Sequence, residues 1–281
     1  MNRINLDGEF ISVNDFKISA QNRAFRYGDG FFEAIRMFNN QIPFFGYHLD
    51  RIKLGFNVLG FDNHPITEQD FLKLQIKRTC EESSDLRIRL SVWRHEGGWF
   101  APYFNNIHYS IEEFRLADNR YPVFENGLNL ITHPDLKLFP KPYSGVKMSS
   151  AIDNVLAAKY AFLRGKDDCI LLDYKDKVVE LSSSNIFILK NGTLYSPPLS
   201  SGCVKGTIRS WMFDNEDKLG MKVKSQELTL SDLKNCDLVF STNAILGPRW
   251  VQSVDGKAIK FNKDVYVAVV KALNDYIGSY N

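Results

Sequence analysis

The stretch NIFILKNGTLYSP, residues 185–197, constrains the fold most tightly, because it reads as two strand-forming runs joined by Asn191-Gly192. That dipeptide accepts the positive φ of a two-residue hairpin turn, so a β-hairpin is predicted here. Around it, LNLITH (128–133), CILLD (169–173), KVVEL (177–181) and DLVFST (237–242) read as further strands. A helix is expected over Ala151–Arg164, ended by Gly165, and an amphipathic one over DVYVAVVKALNDYI at residues 264–277. The second half of the chain is therefore mainly β.

The opening third mixes strands with helices. Strands are predicted over Arg3–Leu6 and Glu9–Val13, and helices around Phe31–Ile35, over Tyr47–Leu59 and over Glu68–Glu82. Alternation marks Leu86–Trp93 as a strand, and YSIEEF (109–114) as another. The polar run ADNRYP then suggests a boundary. The expected division is residues 1–112 as an N-terminal α/β domain, 113–122 as linker and 123–281 as a C-terminal domain.

With 35 Lys+Arg against 33 Asp+Glu, the formal charge is only +2, and no block of like charge could track a nucleic acid or an anionic membrane. No apolar run approaches the roughly 20 residues that span a bilayer, and MNRINLDGEF lacks the pattern of a secretion signal, so a cytoplasmic address is expected. Cys80, Cys169, Cys203 and Cys236 lie too far apart for a CxxC metal site or a disulfide framework and read as buried thiols. The five histidines are also scattered and read as packing or surface residues rather than ligands or bases; no metal is expected. A small molecule is the expected partner.

Chemistry concentrates in VKMSSAIDNVLAAKYAFLRGKDDCILLDYKDKVVELSSSNIF, residues 146–187. Lys147 precedes a helix that Ser149 and Ser150 could cap, and a partly desolvated lysine amine can form an imine with an aldehyde cofactor. Glu180 ends a short strand before Ser182-Ser183-Ser184-Asn185, and a carboxylate beside a pyridine nitrogen keeps that nitrogen protonated. Taken singly, each reads as a surface charge; their neighbours reverse that reading. Three further places offer phosphate donors: Arg51 on a helix, the turn GCVKGTIR leading into a helix at Thr207-Ile208, and Thr242-Asn243 after a strand. GCVKG lacks the GxxxxGK[ST] pattern of a P-loop.

Together RAFRYGDGFFEAIR, YHLDRI, GVKMSSAIDNVLAAKYA, ILLDYKDKVVELSSSNIF, SGCVKGTIR and STNAI resemble the class IV, fold-type IV family of pyridoxal phosphate enzymes, which includes branched-chain and D-amino acid aminotransferases and 4-amino-4-deoxychorismate lyases. The resemblance runs from about Arg23 to Val251. It implies a two-domain α/β fold, an N-terminal α/β sandwich followed by a C-terminal β pseudo-barrel with helices, with pyridoxal 5′-phosphate bound between them in a homodimer. By the same resemblance, Lys147 attaches the cofactor and shuttles protons, and Glu180 faces its ring nitrogen. Arg51, Thr207, Ile208, Thr242 and Asn243 hold its phosphate, supported by Ser184 and Asn185.

Departures from the family pattern bear on the substrate. Branched-chain aminotransferases usually carry a tyrosine where Ile152 stands, and an Asn where Ser150 or Ala151 stands. HEGGWFAP offers Trp99 and Ala101 in place of the Arg-x-His carboxylate trap of D-amino acid aminotransferases, and the lyases often have an arginine at Trp99. Candidate substrate residues are Phe32, Arg87, Arg89, Arg94, Trp99 and Ala244. Cys203-Val204 and the Asn-Ala-Ile run at 243–245 lean toward the lyases, while GTIR in place of GITR moves the hydroxyl to Thr207. The expected activity is an amino acid aminotransferase with a 2-oxo acid acceptor. Aminodeoxychorismate lyase is the first alternative and a non-catalytic cofactor- or metabolite-binding protein the second.

Overall fold

The computed structural model describes residues 3–80 and 85–280. They pack as two compact units, one running to Asn119 and including Val146–Ser150, the other holding Arg120–Gly145 and Ala151–Tyr280.

The first unit contains β1 (Arg3–Leu6), β2 (Glu9–Ser12), α1 (Arg23–Tyr27), β3 (Gly30–Met37), α2 (Phe45–Leu59), α3 (Gln69–Thr79), β4 (Leu86–Arg94) and β5 (Ile107–Arg115). Its strands form one antiparallel sheet in the order β2-β1-β5-β4-β3. One face of β3, β4 and β5 supplies Phe31, Ile35, Ile88, Leu90, Val92 and Ile111 to a core closed by Leu49, Ile52 and Phe56 of α2 and Leu72 and Ile76 of α3. The helix expected at Phe31–Ile35 is instead the middle of β3. Burial alternates along it, with Phe31, Glu33 and Ile35 buried and Phe32 and Ala34 half-buried, a period of two rather than 3.6. The expectation over Glu68–Glu82 is met by α3 as far as Thr79, and Glu81 and Glu82 lie outside the described residues.

The segment around Lys147 lies along the start of β3. Phe32 donates its amide to the Lys147 carbonyl at 2.9 Å, and Ser149 donates to the Gly30 carbonyl at 2.9 Å. These bonds tie the lysine's backbone to the first unit's sheet.

The second unit contains β6 (Leu128–Leu138), α4 (Ile152–Phe162), β7 (Asp168–Asp173), β8 (Val178–Leu181), β9 (Asn185–Lys190), β10 (Thr193–Ser196), α5 (Thr207–Asp214), α6 (Glu216–Leu219), β11 (Val223–Ser225), α7 (Leu230–Lys234), β12 (Leu238–Asn243), β13 (Gly247–Val254), β14 (Lys257–Ala258) and α8 (Lys263–Gly278). Its nine-stranded sheet runs β11-β10-β9-β12-β13-β6-β7-β8, with β14 beside β13. The pairs β10/β11, β13/β6 and β6/β7 are parallel and the others antiparallel. Asn191 and Gly192 form the β9–β10 turn at φ 50° and 71°, the conformation that dipeptide favours. Ser149 and Ser150 do not cap α4: its N-cap is Ala151, and no side chain caps it. β13 was not anticipated, because Gly247-Pro248 at its start reads as a turn; proline is tolerated there, near a strand's first residue. Short α1, α6 and α7 also went unanticipated, although Asn22 caps α1 and a Thr229–Asp232 capping box starts α7.

Candidate functional site

In the second unit, the end of β8, the start of β9, the loop before α5 and the end of β12 converge. Glu180 is buried, and one of its carboxylate oxygens accepts the Val204 amide at 3.0 Å. Asn185 donates to the Val204 carbonyl at 2.9 Å and lies 3.5 Å from the same Glu180 oxygen. Thr242 is the cross-strand partner of Asn185, and the Asn243 side-chain amide donates to Ser184 Oγ at 3.0 Å. Polar side chains at these strand ends thus lock one another and the loop carrying Val204.

Gly206 sits against Asn185: a Cβ built there would lie 1.9 Å from Asn185 Oδ1, so a larger residue would displace the Asn185 amide from its place at Val204. Gly206 is also the N-cap of α5, whose first turn no side chain caps, leaving the amides of Thr207 and Ile208 at a positive helix end. α5 packs against β12. Thr207 and Thr242 are both 2% exposed, and among the described residues neither hydroxyl oxygen has a hydrogen-bond partner. Buried hydroxyls are almost always bonded, and leaving one unsatisfied costs about 1–3 kcal/mol. Two such atoms beside an uncapped helix start are the donor set an anion requires.

In the first unit, α2 brings His48 and Arg51 onto one face against the inward side of β3. There Glu33 takes a bidentate pair from Arg51, Nε to Oε1 and Nη2 to Oε2, each 2.6 Å, while His48 Nδ1 lies 2.7 Å from Glu33 Oε2. All three are buried. Burial alone would raise the Glu33 carboxyl, but the Arg51 charge and hydrogen bonds, helped by His48, hold it at about 2. His48 is pushed below its ordinary value by the same burial, against the pull of Glu33. Glu33 and His48 were not singled out from the sequence. Reading FFEAIR with period two would have turned Glu33 inward, toward the face that presents His48 and Arg51.

On the opposite face of β3, the Phe32 ring is within cation–π distance of two cations. Lys147 Nζ is 4.8 Å from its ring centroid and the Arg89 guanidinium 4.2 Å. Arg89 pairs with Ala34 across the strands, which puts it diagonal to Phe32, and its Nε donates to Ser91 Oγ at 3.3 Å. Burial lowers the Arg89 pKa.

The other candidates divide clearly. Arg94 is committed to Asp29 at 2.9 Å, Asn105 at 2.6 Å and the Leu59 carbonyl at 2.6 Å. Arg87 is exposed beside Phe114. Trp99 is 73% exposed. Ile208 is buried, and the Ala244 carbonyl accepts the Tyr121 hydroxyl at 2.8 Å. The expected thiols hold: Cys169, Cys203 and Cys236 are buried and Cys80 is half-buried.

The family model described as amino-transferase class IV matches residues 30–254. A protein of Methanocaldococcus jannaschii, provisionally named branched-chain-amino-acid aminotransferase, is 31% identical over 266 residues, 94% of this chain and 91% of that protein. D-alanine aminotransferase of Staphylococcus aureus is 27% identical over 267 residues, 94% of this chain and 93% of that one. The solved structure of a branched-chain aminotransferase from Thermoproteus uzoniensis, with norvaline, matches at TM-score 0.86 and 21% identity. That match covers 98% of this chain and 95% of the other, and it shows a shared fold.

Proposed function

The chain belongs to the class IV aminotransferases, enzymes that work with pyridoxal 5′-phosphate, and from that premise we propose that it transfers an amino group from an amino acid to a 2-oxo acid. The observation that carries this reading is the shared Phe32 ring. It sets Arg89, a fork suited to a carboxylate, beside the lysine that the family uses for chemistry. Amino acids and 2-oxo acids both bring an α-carboxylate, so one arginine serves both half-reactions. The names of the two full-length relatives point the same way.

The residues present fit the cofactor. Thr207 and Thr242 offer buried hydroxyls without partners among the described residues, and the start of α5 offers amides to a phosphate. By the family resemblance, Arg51, oriented by Glu33, and Asn243, held on Ser184, would also serve the phosphate. Glu180, fixed by the Val204 amide, holds a proton on the ring nitrogen. When bound, the cofactor supplies an electron sink for the substrate α-carbon. Lys147 would hold it through the ε-amine, and that amine, once freed, would take up the substrate's α-proton and give it back. Arg89 holds the substrate carboxylate so that the α-hydrogen meets Lys147, and Phe32 forms a wall there. Ala244, which opens the turn after β12, would line the substrate side.

Two coarser facts frame two finer proposals. No helix of the described residues is long and apolar enough to cross a membrane, which is consistent with work in the cytoplasm. α4 leaves Ile152 and Val155 well exposed and Phe162 81% exposed, an apolar surface that supports a homodimer. Light scattering of the purified protein tests the second.

The function is tested with purified protein, pyridoxal phosphate, a panel of L- and D-amino acids, and 2-oxoglutarate or pyruvate as acceptor. Turnover is expected with at least one pair. Lys147→Ala should abolish turnover and the trapping of cofactor on the chain by borohydride, and Arg89→Leu should raise the KM for both partners about tenfold or more. No transfer from any donor, together with release of p-aminobenzoate and pyruvate from aminodeoxychorismate, would replace this reading with the lyase.

A further inference from the structure

A second cluster of chemistry-bearing side chains lies in the first unit, among residues that the aminotransferase reading does not use. The end of β4 and the start of β5 pair as neighbours, Trp93 opposite His108, and the His95 amide donates to the Asn106 carbonyl at 3.0 Å. This register puts His95 and His108 diagonally on one face, with ring centroids 3.6 Å apart. Glu96 follows, its carboxylate 3.8 Å from His108 Nε2. One ligand atom from each of His95, Glu96 and His108 lies within 4.8 Å of the others, and all three residues are half-buried.

The other nitrogen of His108 is already spoken for. His108 Nδ1 is 2.6 Å from Asp7 Oδ2, and the other Asp7 oxygen accepts the Tyr109 amide at 2.7 Å. A carboxylate that accepts from Nδ1–H fixes the tautomer and turns the Nε2 lone pair toward Glu96. That carboxylate–histidine arrangement recurs behind metal-ligating histidines. Glu96 is also positioned: the buried Arg23 guanidinium donates to the carbonyls of Gly97 and Phe100, each at 3.1 Å, and so holds the loop that follows it.

We propose that His95, Glu96 and His108 bind one divalent transition-metal ion of the zinc class, with Asp7 as the outer partner of His108. Two imidazoles and one carboxylate suit zinc, cobalt or nickel and are poor ligands for calcium or magnesium. Ligands on a tetrahedral zinc lie about 3.3 Å apart, given bonds near 2.0–2.2 Å. Rotation of the His95 side chain off the stack, with His108 kept on Asp7, would close the remaining gap, and water would complete the coordination. The ion would tie the β1–β2 turn, the end of β4 and the start of β5 together.

The test uses tag-free, chelator-treated enzyme with pyridoxal phosphate bound, titrated with Co²⁺ as a spectroscopic stand-in and then with competing Zn²⁺. Expected are visible d–d bands saturating at one equivalent per chain, displaced by Zn²⁺, and a rise in thermal midpoint. His95→Ala and His108→Ala should each weaken binding about 100-fold, and Glu96→Gln and Asp7→Asn about tenfold. Asp7 has φ 52°, which asparagine tolerates, and Glu96 lies in a loop, so these two variants test the site even if a histidine variant fails to fold. Absence of d–d bands in the parent enzyme would overturn the site, as would unchanged Co²⁺ affinity in Glu96→Gln and Asp7→Asn.

Discussion

The ionic cluster on β3 and α2 and the cradle at the start of α5 are both buried and polar, yet their bonding is opposite. In the first, Arg51, Glu33 and His48 answer one another at 2.6–2.7 Å. In the second, the hydroxyls of Thr207 and Thr242 have no partner among the described residues. Charges cannot be left bare in a protein interior, so a cluster of them must be complete when the chain folds. Two neutral hydroxyls cost far less to leave open, and that openness is what a phosphate can use. The first region belongs to stability and orientation, the second to ligand affinity.

Substitutions can break that distinction. The largest stability effect is expected for Glu33→Gln, which removes the carboxylate charge paired bidentately with buried Arg51 and should lower unfolding free energy by about 3–5 kcal/mol in urea titrations. The parent should also lose stability in acid. The Glu33 carboxyl falls on folding from 4.5 to about 2, so its contribution is complete above 4.5 and disappears as pH drops through 2. That slope should be absent in Glu33→Gln; a variant as stable as the parent at pH 7 would show the cluster to be dispensable. Next in size, Thr207→Val and Thr242→Val should each weaken pyridoxal phosphate binding by about 1.5–3 kcal/mol in equilibrium titrations, as loss of a hydrogen bond to a charged group does. The smallest effect sharpens the contrast: without cofactor, the same two variants should unfold within about 1 kcal/mol of the parent or above it, because a methyl replaces an orphaned oxygen. Marked destabilisation of the cofactor-free variants would mean that the hydroxyls serve the fold.

What the sequence made legible follows from the range of the forces involved. The Asn191-Gly192 hairpin, α2 and strands β6, β7, β8, β9, β10 and β12 are written in local periodicity and turn chemistry, and they were read correctly, whereas β11, β13 and β14 were not anticipated. The segment FFEAIR was misread as a helix because its inward Glu33 breaks the apolar pattern, and its reason for being inward is Arg51 on another element. Lys147, Glu180 and the α5 turn were singled out from local chemistry and motif resemblance, whereas only three dimensions show the hydroxyls of Thr207 and Thr242 without partners among the described residues. His95 and His108 looked scattered because strand register, not sequence proximity, brings them together. The same holds for Arg89: its place beside Phe32 depends on the pairing of β3 with β4.

The parallel pairing of β13 with β6 has a consequence for how the second unit is made. β6 begins at Leu128 and β13 ends at Val254, so the central ladder of the sheet joins stretches that leave a ribosome far apart in time. Chain closure over such a span is entropically slow, and β6 must wait with an unpaired edge until nearly the whole unit has emerged. The β9–β10 hairpin, closed locally, can form first, and β12 can add to it. Biogenesis of this enzyme therefore has a vulnerable interval that begins with the synthesis of β6 and ends only with β13, when an exposed strand edge is available to chaperones and to aggregation alike.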